Sequence, residues 1–122
     1  MILADTSVWI DHLNRVDRTL QQLLDGDEIV MHPFVIGEVA LRSWPNRART
    51  LYGLRRLQSV QIARNDEVLG LIDDWALVGT GIGYLDAHLL GSVLLTPETR
   101  LWTRDKRLRA VAAQLSLDAK LP

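Results

Sequence analysis

Four acids have the type and placement to do chemistry together: Asp5, Glu38, Asp86 and Asp105. Asp5 follows the apolar run Ile2-Leu3-Ala4. A strand there would carry it at its carboxyl end, where open α/β sheets place their ligands. Asp105 likewise follows Leu101-Trp102 and precedes a helical pattern. Either of these two also fits a plain helix N-cap, a role worth about 1 kcal/mol. Periodicity makes the other two stranger. Asp86, Leu89, Leu90, Val93 and Leu94 share one helical face, with His88 and Ser92 on the other side. Glu38 is flanked by Val35 and Leu41 three residues away on either side, and Phe34 lies four before it. Burying one unpaired charge costs several kcal/mol, and carboxylates gathered together also repel each other. A shared cation resolves both difficulties.

Every candidate donor is an oxygen, which selects Mg²⁺ or Mn²⁺ over zinc. The histidines offer no zinc alternative. On this pattern His88 faces away from Asp86, while His12 and His32 have no partner at ligand spacing, so each reads as structural or surface. Acid-rich sites for Mg²⁺ or Mn²⁺ serve phosphate chemistry: the ion activates water, polarises the phosphoryl group and steadies the leaving oxygen.

The elements that must position these acids alternate between strand and helix. Strands are expected at Ile2–Ala4, 28–32, 60–63 and 100–103, with a faint fifth near Ser116-Leu117. Helices are expected after Asp5 (Val8, Trp9 and Leu13 on one face), after an Asp17 cap (Leu20, Leu23, Leu24), and from Pro33 onward. Further helices are expected over 47–58, from an Asn65 or Asp66 cap to Ala76, over 84–95, and over 106–115. Gly79-Thr80-Gly81-Ile82-Gly83 is the clearest joint. Strands alternating with helices imply α/β architecture: a three-layer α/β/α sandwich around a parallel sheet of four or five strands.

At 122 residues, with 48% hydrophobic and 24% charged side chains, the chain reads as one ordinary globular domain spanning 1–122. It has no cysteine, which excludes disulfides, thiolate metal sites and a thiol nucleophile. No apolar run approaches the roughly 18–20 residues of a membrane span, and no signal-like start is evident, so a cytoplasmic location is expected. There is no internal repeat or low-complexity tract. The net charge is −1, and setting four acids aside as ligands leaves the remainder at +3. Arg supplies twelve of the fourteen bases, the side chain suited to bidentate phosphate contact.

The runs Ile2-Leu3-Ala4-Asp5-Thr6-Ser7-Val8-Trp9-Ile10, Gly37-Glu38-Val39, Leu85-Asp86-Ala87 and Trp102-Thr103-Arg104-Asp105-Lys106 fall in the order and spacing of the PIN-domain ribonucleases. Among these the chain most resembles the VapC toxins of bacterial toxin–antitoxin pairs. The resemblance covers nearly the whole chain. It implies that Asp5, Glu38, Asp86 and Asp105 form an acidic metal-binding and catalytic quartet, with Thr103, and less firmly Thr6, as supporting or substrate contacts. It further implies metal-dependent cleavage of single-stranded or loop RNA, a homodimer, and inhibition by a cognate VapB-like antitoxin through which operator DNA is bound. Arg42, Arg47, Arg49, Arg104 and Lys106 are candidates to grip the RNA backbone, and Trp44 or Trp102 to stack on a base, although Trp102, inside an expected strand, reads better as core.

Two other readings compete. An aspartyl-nucleophile phosphatase also opens with a strand-end acid, but it wants a second Asp where Ser7 stands. A non-catalytic PIN-like module could retain the fold for binding or regulation, against which four intact acids weigh.

Overall fold

The computed structural model describes residues 1–122. Three parallel strands, β1 (Ile2–Ala4), β2 (Ile29–Val30) and β3 (Arg100–Trp102), lie in the order β2-β1-β3. Ile2 stands opposite both Ile29 and Arg100, and Ala4 opposite Trp102. The first strand is therefore the centre of the sheet, and Leu3 and Ala4 are fully buried. A strand covered on both faces can be apolar throughout, as Ile2-Leu3-Ala4 is.

Seven helices surround the sheet: α1 (Thr6–Asn14), α2 (Arg18–Asp25), α3 (Pro33–Ala40), α4 (Arg47–Arg55), α5 (Asn65–Asp74), α6 (Tyr84–Leu95) and α7 (Lys106–Gln114). Their packing follows the handedness of the crossovers. From β1 the chain moves outward through β2 to Ser59, which bridges Met31, and a right-handed path puts α1 to α4 on one face. It then crosses to β3 and on to Asp118, which bridges Leu101, and the same rule puts α5 to α7 on the other. Contacts of α1 with α3, α3 with α4, and α5 with α6 agree with this division. The direction of travel reverses between β1 and β3, so the crevice beyond their carboxyl ends is the switch point where such sheets bind ligands. A core of 22 buried residues, including Leu3, Val8, Leu89, Leu101, Trp102 and Leu108, runs through both layers.

Three strands rather than four or five are formed, and hydrogen bonding explains the difference. Beyond Val60, whose N–H reaches Met31 O at 3.0 Å, the backbone turns to α6. The Gln61 N–H donates to Thr96 Oγ1 at 2.9 Å and the Ala63 N–H to Ser92 Oγ at 3.1 Å. Residues 60–63 thus lose their strand to side-chain acceptors, leaving one bridge. The faint last strand is also a single bridge, displaced slightly to 117–119, where Leu101 N–H meets Leu117 O and Ala119 N–H meets Leu101 O.

Two helical faces also differ from expectation. His88 and Ser92 are buried, because α5 and residue 63 pack on the side of α6 expected to meet water, and Leu94 is exposed. Every residue from Ala87 to Val93 is buried. Four helix starts follow their side chains: Asp5, Asp17, His32 and Asp105 each accept the N–H that an opening turn leaves unpaired. At α5 the cap position is Arg64 rather than Asn65 or Asp66, and Glu67 Oε1 accepts the Arg64 N–H at 3.0 Å. Gly79 and Gly81 take φ of 77° and 85°, a left-handed backbone that suits glycine. A Cβ at Gly81 would fall 2.8 Å from Arg107 Cδ, so the joint before α6 closes against α7.

Candidate active site

Asp5 stands at the tip of the central strand, 5% exposed, with its backbone N–H bonded to Trp102 O at 2.9 Å. Both of its carboxylate oxygens accept hydrogen bonds. Ser7 Oγ donates to Oδ1 at 2.5 Å, the Val8 N–H to the same oxygen at 3.3 Å, and Thr103 Oγ1 to Oδ2 at 2.5 Å. Burial raises its pKa, opposed by the hydrogen bonds from Ser7, Thr103 and Val8.

Asp105 follows β3 at the adjacent strand tip. Its Oδ1 accepts the Leu108 N–H at 2.9 Å, so it does cap α7, while the rest of the residue is exposed. Its own N–H donates to Thr103 Oγ1 at 3.1 Å, which makes Thr103 a fully buried link between Asp5 and Asp105.

Glu38 lies in the second half of α3 and is partly buried. It still reaches the site, because α3 packs on α1 and Thr6 Oγ1 donates to Glu38 Oε1 at 2.9 Å. Asp86 is the third residue of α6 and is also partly buried. Its pKa is raised by burial, lowered somewhat by the Gly83 N–H, and raised again by the charges of Asp5, Asp105 and Glu38. Asp86 therefore lies within electrostatic reach of the other three carboxylates.

An anionic pit with only oxygen donors fits a hard divalent cation. No three His, Asp or Glu side chains stand at mutual ligand spacing, and one oxygen each of Glu38 and Asp105 already accepts a hydrogen bond. An ion there would be held through only a few carboxylate oxygens and would keep several of its own waters, as Mg²⁺ usually does.

The other candidates divide. Arg42, Arg49 and Lys106 are exposed with no hydrogen-bonded side-chain partner. Arg47 is exposed but donates twice to Ala40 O, at 3.2 and 2.9 Å, closing the end of α3. Arg104 is withdrawn from the RNA-gripping set, since its guanidinium lies 2.7 Å from Asp11 and 2.5 Å from Asp17. Trp102 is wholly buried and cannot stack on a base. Trp44 is half-buried, its indole N–H held by Val39 O at 2.9 Å.

The histidines are structural. His32 Nδ1 accepts the Phe34 N–H at 3.0 Å, and burial with neighbouring His88 lowers its pKa to about 4. His88 is lowered by burial and sits edge-on between Phe34 and Tyr84. His12 Nδ1 accepts the Asp17 N–H at 3.0 Å. Ser7 is the site residue that sequence reasoning missed. A hydroxyl two positions after a strand-end acid is the local signal that could have found it.

Residues 2–114 match the family described as PIN domain. Ribonuclease VapC32 of Mycobacterium tuberculosis, found in two strains, is 50% identical over 114 residues, covering 93% of this chain and 92% of the relative.

Proposed function

Since the chain belongs to the PIN-domain family, we propose that it is a metal-dependent endoribonuclease, the toxin of a toxin–antitoxin pair, cutting single-stranded or loop RNA. The observation that carries this reading is the placement of Asp86 within electrostatic reach of Asp5, Glu38 and Asp105, whose charges add to burial in raising its pKa. A ribonuclease as similar as the M. tuberculosis protein supports the same activity. Asp5, Glu38, Asp86 and Asp105 would hold Mg²⁺ or Mn²⁺, which supplies an activated water and charge neutralisation at the phosphodiester.

The chain's own residues prepare that chemistry. Ser7 and Thr103 fix both oxygens of Asp5, so its orientation is set before any ligand arrives. Thr6 does the same for Glu38 from the first turn of α1. Asp86 is left with few donors, which keeps its oxygens free for a cation. Exposed Arg42, Arg49 and Lys106 contact the RNA phosphates, with Arg47 a weaker contributor, and in-line hydrolysis leaves a 5′-phosphate and a 3′-hydroxyl. The protein works in the cytoplasm as a homodimer. A VapB-like antitoxin presents a basic side chain to the acidic pit and links the complex to operator DNA.

The test is cleavage of RNA by purified protein freed of any bound partner, with Mn²⁺, with EDTA, and for Asp5→Asn. Cleavage should require Mn²⁺ and an intact Asp5. Full activity of Asp5→Asn would sink the assignment. The absence of ready-made ligand spacing favours one rival, a non-catalytic binding module. That rival predicts no cleavage under any of these conditions.

A further inference from the structure

Arg104 lies between two site residues, Thr103 and Asp105, yet its side chain is taken up by partners within the protein. Its NH1 meets Asp11 Oδ2 at 2.7 Å on α1, and its NH2 meets Asp17 Oδ2 at 2.5 Å at the cap of α2. Its Nε donates to Pro122 O at 3.0 Å, and the guanidinium lies 5.3 Å from the centre of the buried Trp102 ring. All three guanidinium nitrogens are engaged, and only 24% of the side chain is exposed. The same residue's backbone N–H donates to Ser7 Oγ at 3.1 Å, and Ser7 passes the restraint to Asp5 Oδ1. One residue later, the Asp105 N–H donates to Thr103 Oγ1, and Thr103 passes it to Asp5 Oδ2. Both oxygens of Asp5 are thus aligned by hydroxyls that answer to consecutive N–H groups of one turn.

We propose that Arg104 is a positioning residue: by bolting the turn between β3 and α7 to the α1–α2 corner, it sets the orientation of Asp5 and Asp105. The forked guanidinium suits this task because it engages two carboxylates from fixed directions, which a lysine ammonium cannot reproduce. Substitution of such supporting partners costs about 10- to 100-fold in activity or metal affinity.

This inference rests on the nuclease reading, and Arg104→Lys separates it from an RNA contact. Lysine keeps the charge and loses the fork. The expected result is a kcat lower by about 10-fold or more, with KM within about twofold, measured well below the melting temperature of both proteins. The dependence of metal-free RNA binding on salt should not change. An RNA contact would instead leave Arg104→Lys near wild type, and Arg104→Gln would reduce the salt slope by about one. Either of those results overturns the proposal. Asp11→Asn removes one exposed arm and leaves the α2 cap in place, so it carries the test if Arg104→Lys does not fold. It should lower kcat in the same direction, and wild-type kcat would overturn the proposal. Where the wild type cuts no RNA, the nuclease reading fails by itself. Calorimetric titration with Mn²⁺ then decides: affinity weakened by about 10-fold or more in Arg104→Lys supports positioning, and unchanged affinity overturns it.

Discussion

Asp5 and Asp86 are both carboxylates drawn out of water, and burial raises the pKa of each, yet their surroundings differ. Asp5 has donors for both oxygens, two hydroxyls and a backbone N–H, so it resembles a part fixed in a frame. Asp86 has the Gly83 N–H and otherwise three like charges. The strand tip therefore carries orientation, and the helix tip carries unrelieved charge. A buried acid that is fully bonded stabilises the turn around it, whereas one surrounded by acids costs stability until a cation arrives. Substitutions at the two positions should separate along that line.

The largest effect is expected at Asp5. Asp5→Asn should reduce RNA cleavage by roughly three orders of magnitude or more, the scale on which removing a central catalytic group acts; single-turnover kinetics with Mn²⁺ measures it. Thr103→Val comes next. It preserves shape while removing the donor to Asp5 Oδ2 and the acceptor of the Asp105 N–H. Two groups left without partners, that of Asp5 buried and that of Asp105 partly so, should cost about 2 kcal/mol, visible in urea unfolding. Ser7→Ala, at a less buried position, should cost less.

A smaller effect concerns acid. His32 is fully buried with a pKa lowered from 6.5 to about 4. Its neutral form is favoured in the folded state, so its contribution is complete above pH 6.5 and is lost as pH falls toward 4. Asp5 and Asp86, raised above 3.8, act oppositely: their contribution is present at low pH and is lost as pH rises through their folded values. His32→Asn keeps an acceptor for the Phe34 N–H and removes the titration. Its melting temperature should vary less than the wild type's between pH 6.5 and 4.

Smallest in size, but opposite in sign to Thr103→Val, is Asp86→Asn without metal. It removes a repelled charge, so in EDTA at neutral pH its melting temperature should equal or exceed the wild type's. The advantage should shrink as pH falls toward 3.8, because the raised pKa of Asp86 favours its uncharged form there. A clearly lower melting temperature in EDTA would make Asp86 a structural hydrogen-bonding acid.

Much of this site was legible before folding, because acids at strand ends and on apolar helical stripes are local features. The central place of Ile2–Ala4 and the capping by Asp17 follow from the same kind of pattern. What escaped is what depends on distant partners. Arg104 looked like an RNA contact because its acids, Asp11 and Asp17, lie 93 and 87 residues away. His88 reads from the sequence only as structural or surface, because periodicity describes one helix and not the α5 packed against it, which buries it. The strand expected over 60–63 failed for a related reason: Ser92 on α6 and Thr96 at its end supply acceptors for the backbone of residues 61 and 63.

The contrast between the two acids reduces to one titration: Mn²⁺ into metal-free wild type and Asp86→Asn, followed by calorimetry. Saturable binding to the wild type, and binding at least about tenfold weaker to the variant, is predicted for a carboxylate that serves a shared cation. Equal binding to both, or none to the wild type, would contradict it.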